Sequence, residues 1–101
     1  MDKVTWKAIL KPGMKDEYIR RHNTIWPEML QLLREAGIYN YTIWRAGEEL
    51  FGYYECGDIT QALRIQAESE VCQRWEKSMG YLIEKVAGPG VAEMEQVFSL
   101  E

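Results

Sequence analysis

The sequence predicts an α+β fold of βαββαβ order, the split β-α-β or ferredoxin-like arrangement, in which one antiparallel sheet carries helices on one face. Three observations predict it. The apolar pattern changes from strand alternation to a helical period of about 3.6 and back again along the chain. The two middle strand patterns are joined by a short stretch containing glycine, the mark of a hairpin. Those same strands carry bulky side chains on both faces, so the face away from the helices also needs a cover. The 101 residues suffice for one hydrophobic core, and residues 1–101 are expected to form a single domain.

Val4 to Leu10 alternates, with Val4, Trp6, Ala8 and Leu10 on one face, and it stops at Lys11-Pro12-Gly13. This is the first predicted strand. From Met14 to Ala36 the apolar residues Met14, Tyr18, His22, Ile25, Met29, Leu32 and Leu33 fall on one helical stripe. Pro27 interrupts it and bends the helix just past His22, since proline removes a backbone donor and clashes with the preceding turn. Gly37 is the natural C-cap. Tyr39–Arg45 and Leu50–Glu55 are the second and third strands, with Tyr39, Tyr41 and Ile43 on one face against Thr42 and Trp44. Asp58-Ile-Thr-Gln61 has the form of a capping box opening a short helix. A longer helix follows from Ser69, with Cys72, Trp75, Met79, Leu82, Ile83 and Val86 at helical spacing, and Gly88-Pro-Gly90 ends it. Met94–Leu100 alternates and is the expected last strand. A second copy of the sheet is the expected cover for the open face, giving a homodimer with a barrel-like core.

Composition excludes several functions. The formal net charge is -4 with acids and bases interspersed, so the basic stripe of a nucleic-acid binder is missing. No apolar run approaches the roughly 18 residues of a membrane span, and the N-terminal segment lacks signal-peptide features, so a cytoplasmic location is expected. Cys56 and Cys72 form neither a disulfide framework nor a C-x-x-C motif. One histidine among scattered carboxylates offers no metal-ligand spacing, and Gly88-Pro-Gly90 is not a phosphate loop.

What remains is the single histidine. His22 follows Tyr18 by one helical turn, which points both side chains into the same region. An imidazole of ordinary pKa near about 6.5 offers both protonation states at neutral pH and so suits general acid or base work. The pattern alone favours a hydrogen-bonded core histidine on an aromatic stripe.

Four stretches carry a resemblance: Tyr18-Ile-Arg-Arg-His-Asn-Thr-Ile-Trp-Pro-Glu28, Gly37-Ile-Tyr-Asn-Tyr-Thr-Ile43, Val71-Cys-Gln-Arg-Trp75 and Gln96-Val-Phe-Ser-Leu100. In order and spacing, over nearly the whole chain, they resemble the L-rhamnose mutarotases. The resemblance implies an αβ fold that dimerises through its sheets, no metal, no cofactor, and interconversion of the α and β anomers of L-rhamnose or a closely related 6-deoxy sugar. His22 matches the family's catalytic acid, and Tyr18 and Tyr41 match its substrate-binding tyrosines. Trp75 matches the first of two adjacent tryptophans in the sugar site. Glu76 stands where the second is expected, and its carboxylate either binds a sugar hydroxyl or turns to solvent. Trp75, Trp44 and Met29 are expected to form the apolar wall for the C6 methyl group. Two other functions fit the same fold: a cofactor-free monooxygenase-like dimeric-barrel enzyme, and a non-catalytic sugar-binding module in which His22 only hydrogen-bonds.

Overall fold

The computed structural model describes residues 1–87 and 94–100. Its elements are β1 (Asp2–Leu10), α1 (Lys15–Asn23), α2 (Pro27–Glu35), β2 (Ile38–Ala46), β3 (Glu49–Cys56), α3 (Ile59–Glu68), α4 (Glu70–Gly80) and β4 (Ile83–Ala87). The strands pair antiparallel in the order β2-β3-β1-β4. This is the expected βαββαβ topology, with each helical crossover divided in two.

The first division corrects the expected bent helix of residues 14–36. Thr24 turns its hydroxyl back onto the Arg20 carbonyl at 3.1 Å, a side-chain bond that competes with the helix ladder. Trp26 is extended (φ -60°, ψ 135°), as steric clash with a following proline favours, and Pro27 opens α2 where its missing N–H costs nothing. The chain therefore restarts at Pro27 instead of bending through it. At the far end of α2, Gly37 takes the left-handed conformation expected of the cap (φ 76°).

In the second crossover Asp58 caps α3, its carboxylate accepting from the backbone N–H groups of Thr60 and Gln61 at 2.9 and 3.3 Å. The helix it opens runs on to Glu68, longer than expected. Ser69 then caps α4 by accepting from Cys72 N–H at 3.1 Å. The helix stops at Gly80, so Leu82, Ile83 and Val86 do not extend it. Ile83–Ala87 instead forms β4 on the free edge of β1, pairing Ala8 with Val86 and Ile9 with Lys85. Residues spaced three or four apart fit a helix, but the unpaired backbone of β1 needs a ladder more than α4 needs another turn. Met94–Leu100, the expected last strand, has no regular secondary structure, and Val97, Phe98 and Leu100 are exposed. Gly88-Pro-Gly90 lies outside the described residues.

One sheet face meets the helices. Ala8, Leu10 and Leu50 pack there with Tyr18, Met29, Leu32, Cys72, Trp75 and Met79. Beside them Val4, Ile38, Tyr54 and Cys56 pack with Ala36 and Ala62. On the opposite face stand Lys3, Thr5 and Lys7 of β1 and Phe51, Tyr53 and Glu55 of β3, which pair row by row. No helix packs on that face among the described residues, and Trp44 is 68% exposed and Tyr39 45%.

A bulge in β2 sets which tyrosine faces inward. Tyr39 pairs with Glu55 and Thr42 with Tyr53, so β2 contains one residue more than β3 between these pairs. Asn40 absorbs it at φ 50°, and its amide donates to Glu55 Oε1 at 2.8 Å. The strict alternation that placed Tyr39 and Tyr41 on one face thus fails. Tyr39 stands in the row of the open-face Glu55, whereas Tyr41 packs inward on Tyr54 with ring centroids 5.0 Å apart.

Candidate active site

His22 occupies the last turn of α1 and is held between two rings. The Tyr18 ring lies 4.2 Å away and tilted, and Trp75 of α4 meets the imidazole edge-on at 5.4 Å. Trp75 in turn meets Trp26 edge-on at 5.2 Å. Nδ1 of His22 lies 2.9 Å from the Tyr18 carbonyl oxygen. A carbonyl can only accept, so Nδ1 carries a proton and donates it, and Nε2 is the ring nitrogen whose protonation this bond leaves open. Burial pushes the imidazole pKa below its ordinary value, and the Tyr18 carbonyl partly offsets this.

Beside His22 opens a cleft of about 350 Å³ between α1, α2, the helix face of β2, α3 and α4. Its apolar wall comes from Ile25, Met29, Leu30, Leu33 and Ile43; its polar groups are His22, Tyr41, Gln66 and Glu76. A small cavity with an apolar lining and a few convergent polar groups is the usual form of a small-molecule site. A second depression of about 340 Å³, among Gly13, Lys15, Asp16, Arg45, Gly47 and Glu48, contains no aromatic side chain and none of the expected site residues.

Of the expected residues, the fold brings His22, Tyr41 and Glu76 to the cleft. Tyr18 (7% exposed) and Trp75 (8%) are buried and pack against the imidazole, outside the cleft lining. Met29 joins the apolar wall as expected, but Trp44 does not: it stands on the open sheet face in the row of Phe51 and Lys7.

Glu76 is exposed at the cleft, and the Cys72 thiol one turn earlier donates to its Oε1 at 3.6 Å. Burial, then the Glu76 charge, pushes the Cys72 thiol up to about 12, so Cys72 is a neutral donor and not a nucleophile. Burial likewise pushes the Tyr18 and Tyr41 phenols well above the ordinary tyrosine value, so both are un-ionised hydroxyls near neutral pH. Among the described residues no three His, Cys, Asp or Glu side chains gather as metal ligands, and no helix is long and apolar enough to cross a membrane.

Sequence reasoning missed two residues. Gln66 reaches the cleft from α3. Trp6 donates its indole N–H to the Tyr41 hydroxyl oxygen at 2.9 Å. Its place on the inward face of β1 was legible; its reach across the sheet was not.

A family model described as L-rhamnose mutarotase matches residues 3–100. An L-rhamnose mutarotase of Listeria monocytogenes is 36% identical over 104 residues, covering 99% of each chain. One of Bacillus subtilis is 39% identical over 90 residues, covering 85% of this chain and 86% of the relative. The crystal structure of L-rhamnose mutarotase from Formosa agariphila superposes with a TM-score of 0.82 at 25% identity, covering 100% of both chains. With fold and sequence in agreement along nearly its whole length, the chain belongs to the L-rhamnose mutarotase family.

Proposed function

We propose that this isomerase interconverts the α and β anomers of L-rhamnose in the His22 cleft, with His22 as the acid. The observation that carries the assignment is the Nδ1–H bond to the Tyr18 carbonyl, which leaves Nε2 to exchange protons with a ligand beside an aromatic and apolar cleft. When Nε2 is protonated, it delivers that proton to the sugar ring oxygen as the C1–O5 bond breaks. The C1 hydroxyl loses its proton to water in the open cleft, and C1 becomes the aldehyde carbon. Rotation about C1–C2 presents the other face, the ring oxygen attacks C1 and returns its proton to Nε2, and the carbonyl oxygen regains one from water. Proton transfers balance over the cycle and no redox partner is involved.

Tyr41 and Glu76 contact sugar hydroxyls in this reading, while Met29 and Ile43 receive the C6 methyl group of the 6-deoxy sugar. Tyr18 and Trp75 set the plane of the imidazole by packing against it. The ligand is a sugar and not a nucleic acid, in keeping with the net charge of -4. The reaction belongs to the cytoplasm, a compartment suited to two free buried thiols. The working unit is a homodimer in which a second copy of the sheet covers Trp44, Tyr39 and Phe51.

Saturation-transfer NMR on L-rhamnose tests the chemistry. Added protein is expected to speed α/β exchange, and His22→Ala to abolish the increase. Tight binding with exchange no faster than in buffer would leave a sugar-binding module instead.

A further inference from the structure

In the sheet row Trp6–Gly52–Ile43 the central residue has no side chain, and the Trp6 indole occupies the vacancy. A Cβ built at Gly52 would overlap the indole at Cε2 and Nε1. Lying across β3, the indole of β1 reaches β2, where its N–H meets the Tyr41 oxygen at 2.9 Å. Tyr41 stands on the same inward face of β2 as Ile43, two residues before it, where it receives that bond. Glycine in a central strand weakens the strand, so its use here marks a close approach that another side chain would forbid.

We propose that Trp6 is a positioning residue for the anomerisation, fixing Tyr41 as a hydrogen-bond donor to the sugar. A phenol has one proton to give. The indole can only donate, so the Tyr41 oxygen must accept from it, and the Tyr41 proton remains available for an oxygen in the cleft. Accepting one bond also strengthens the bond that the same hydroxyl donates. Gly52 is the vacancy that allows this arrangement, and Trp6 acts through Tyr41 without touching the sugar. The inference rests on reading the cleft as the anomerisation site.

The test is a double-mutant cycle of Trp6→Phe and Tyr41→Phe, reading kcat and KM for L-rhamnose exchange together with the sugar dissociation constant. Trp6→Phe is expected to lower kcat/KM by about three- to tenfold, the scale of one hydrogen bond. In the Tyr41→Phe background the same change should cost nothing further. An equal loss in both backgrounds would mean that Trp6 only supports the sheet, and overturns the inference, as does an unchanged kcat/KM in Trp6→Phe. Indole NMR gives a reading without altering Trp6: its Nε1 proton should be protected from solvent exchange in the wild type and lose protection in Tyr41→Phe. Protection that survives in Tyr41→Phe also overturns the proposal. If the wild type binds L-rhamnose without accelerating exchange, the anomerisation reading fails, while the cycle in dissociation constants still decides the role of Trp6.

Discussion

The His22 imidazole donates its Nδ1 proton to the backbone oxygen of Tyr18, one helical turn earlier, at 2.9 Å. The bond satisfies one side of the ring within α1 and commits the other to the cleft. It also makes the charge on His22 a matter of Nε2 alone.

Activity and stability should therefore run in opposite directions below neutral pH. Burial lowers the His22 pKa beneath its ordinary 6.5, so the acid form fills only as pH falls below that value. kcat/KM should rise from pH 7.5 toward acid and level off once His22 is protonated. The unfolded chain binds this proton more readily, so the His22 contribution to stability is present above the ordinary pKa and lost as pH falls through the depressed one. Exchange rates and thermal melts on one pH series check both limbs. His22→Gln should lower kcat by about 10²- to 10⁴-fold and flatten the melting trend near pH 6.

Glu76→Gln should raise KM for L-rhamnose about tenfold with kcat little changed, because a bond between a carboxylate and a sugar hydroxyl is made in ground and transition states alike. Equal KM values in variant and wild type would place Glu76 in solvent during turnover. Titration of L-fucose and L-mannose alongside shows whether this carboxylate also sorts sugars.

Cys72 should resist alkylation. With its thiol pushed up to about 12 and its side chain buried, iodoacetamide at pH 8 should modify it only after denaturant is added. Mass spectrometry of native and unfolded protein reads the difference. Rapid native modification would mean that the thiol opens to the cleft.

The open sheet face predicts the assembly. Light scattering behind size exclusion should give about twice the chain mass of 11.9 kDa. Trp44→Glu should shift the mass toward a single chain, since a buried carboxylate without a partner is costly at an interface. A wild-type protein running at the mass of one chain would remove the dimer from the proposal.

The sequence carried the fold where its local rules agreed with packing, as in β1, the β2–β3 hairpin and the Gly37 cap. It misled where two rules competed. Leu82, Ile83 and Val86 satisfied a helical period, but pairing along β1 decided their state. Pro27 was legible as an interruption, yet only the Thr24 bond and the extended Trp26 show that it begins a helix. In the site, His22, Tyr41 and Glu76 were legible through the family resemblance. Trp6 was not, because its role depends on Gly52, a residue distant in sequence whose contribution is an empty space.

The bulge at Asn40 has a further consequence. Side chains alternate along a strand, so one residue more or fewer exchanges its two faces. Here the bulge absorbs the extra residue, so deleting Asn40 should close the ladder with Tyr39 still opposite Glu55 and Thr42 still opposite Tyr53, each on the face it already serves. What the deletion would remove is the local twist of the bulge and the Asn40 amide bond to Glu55, which shape the strand without deciding its faces.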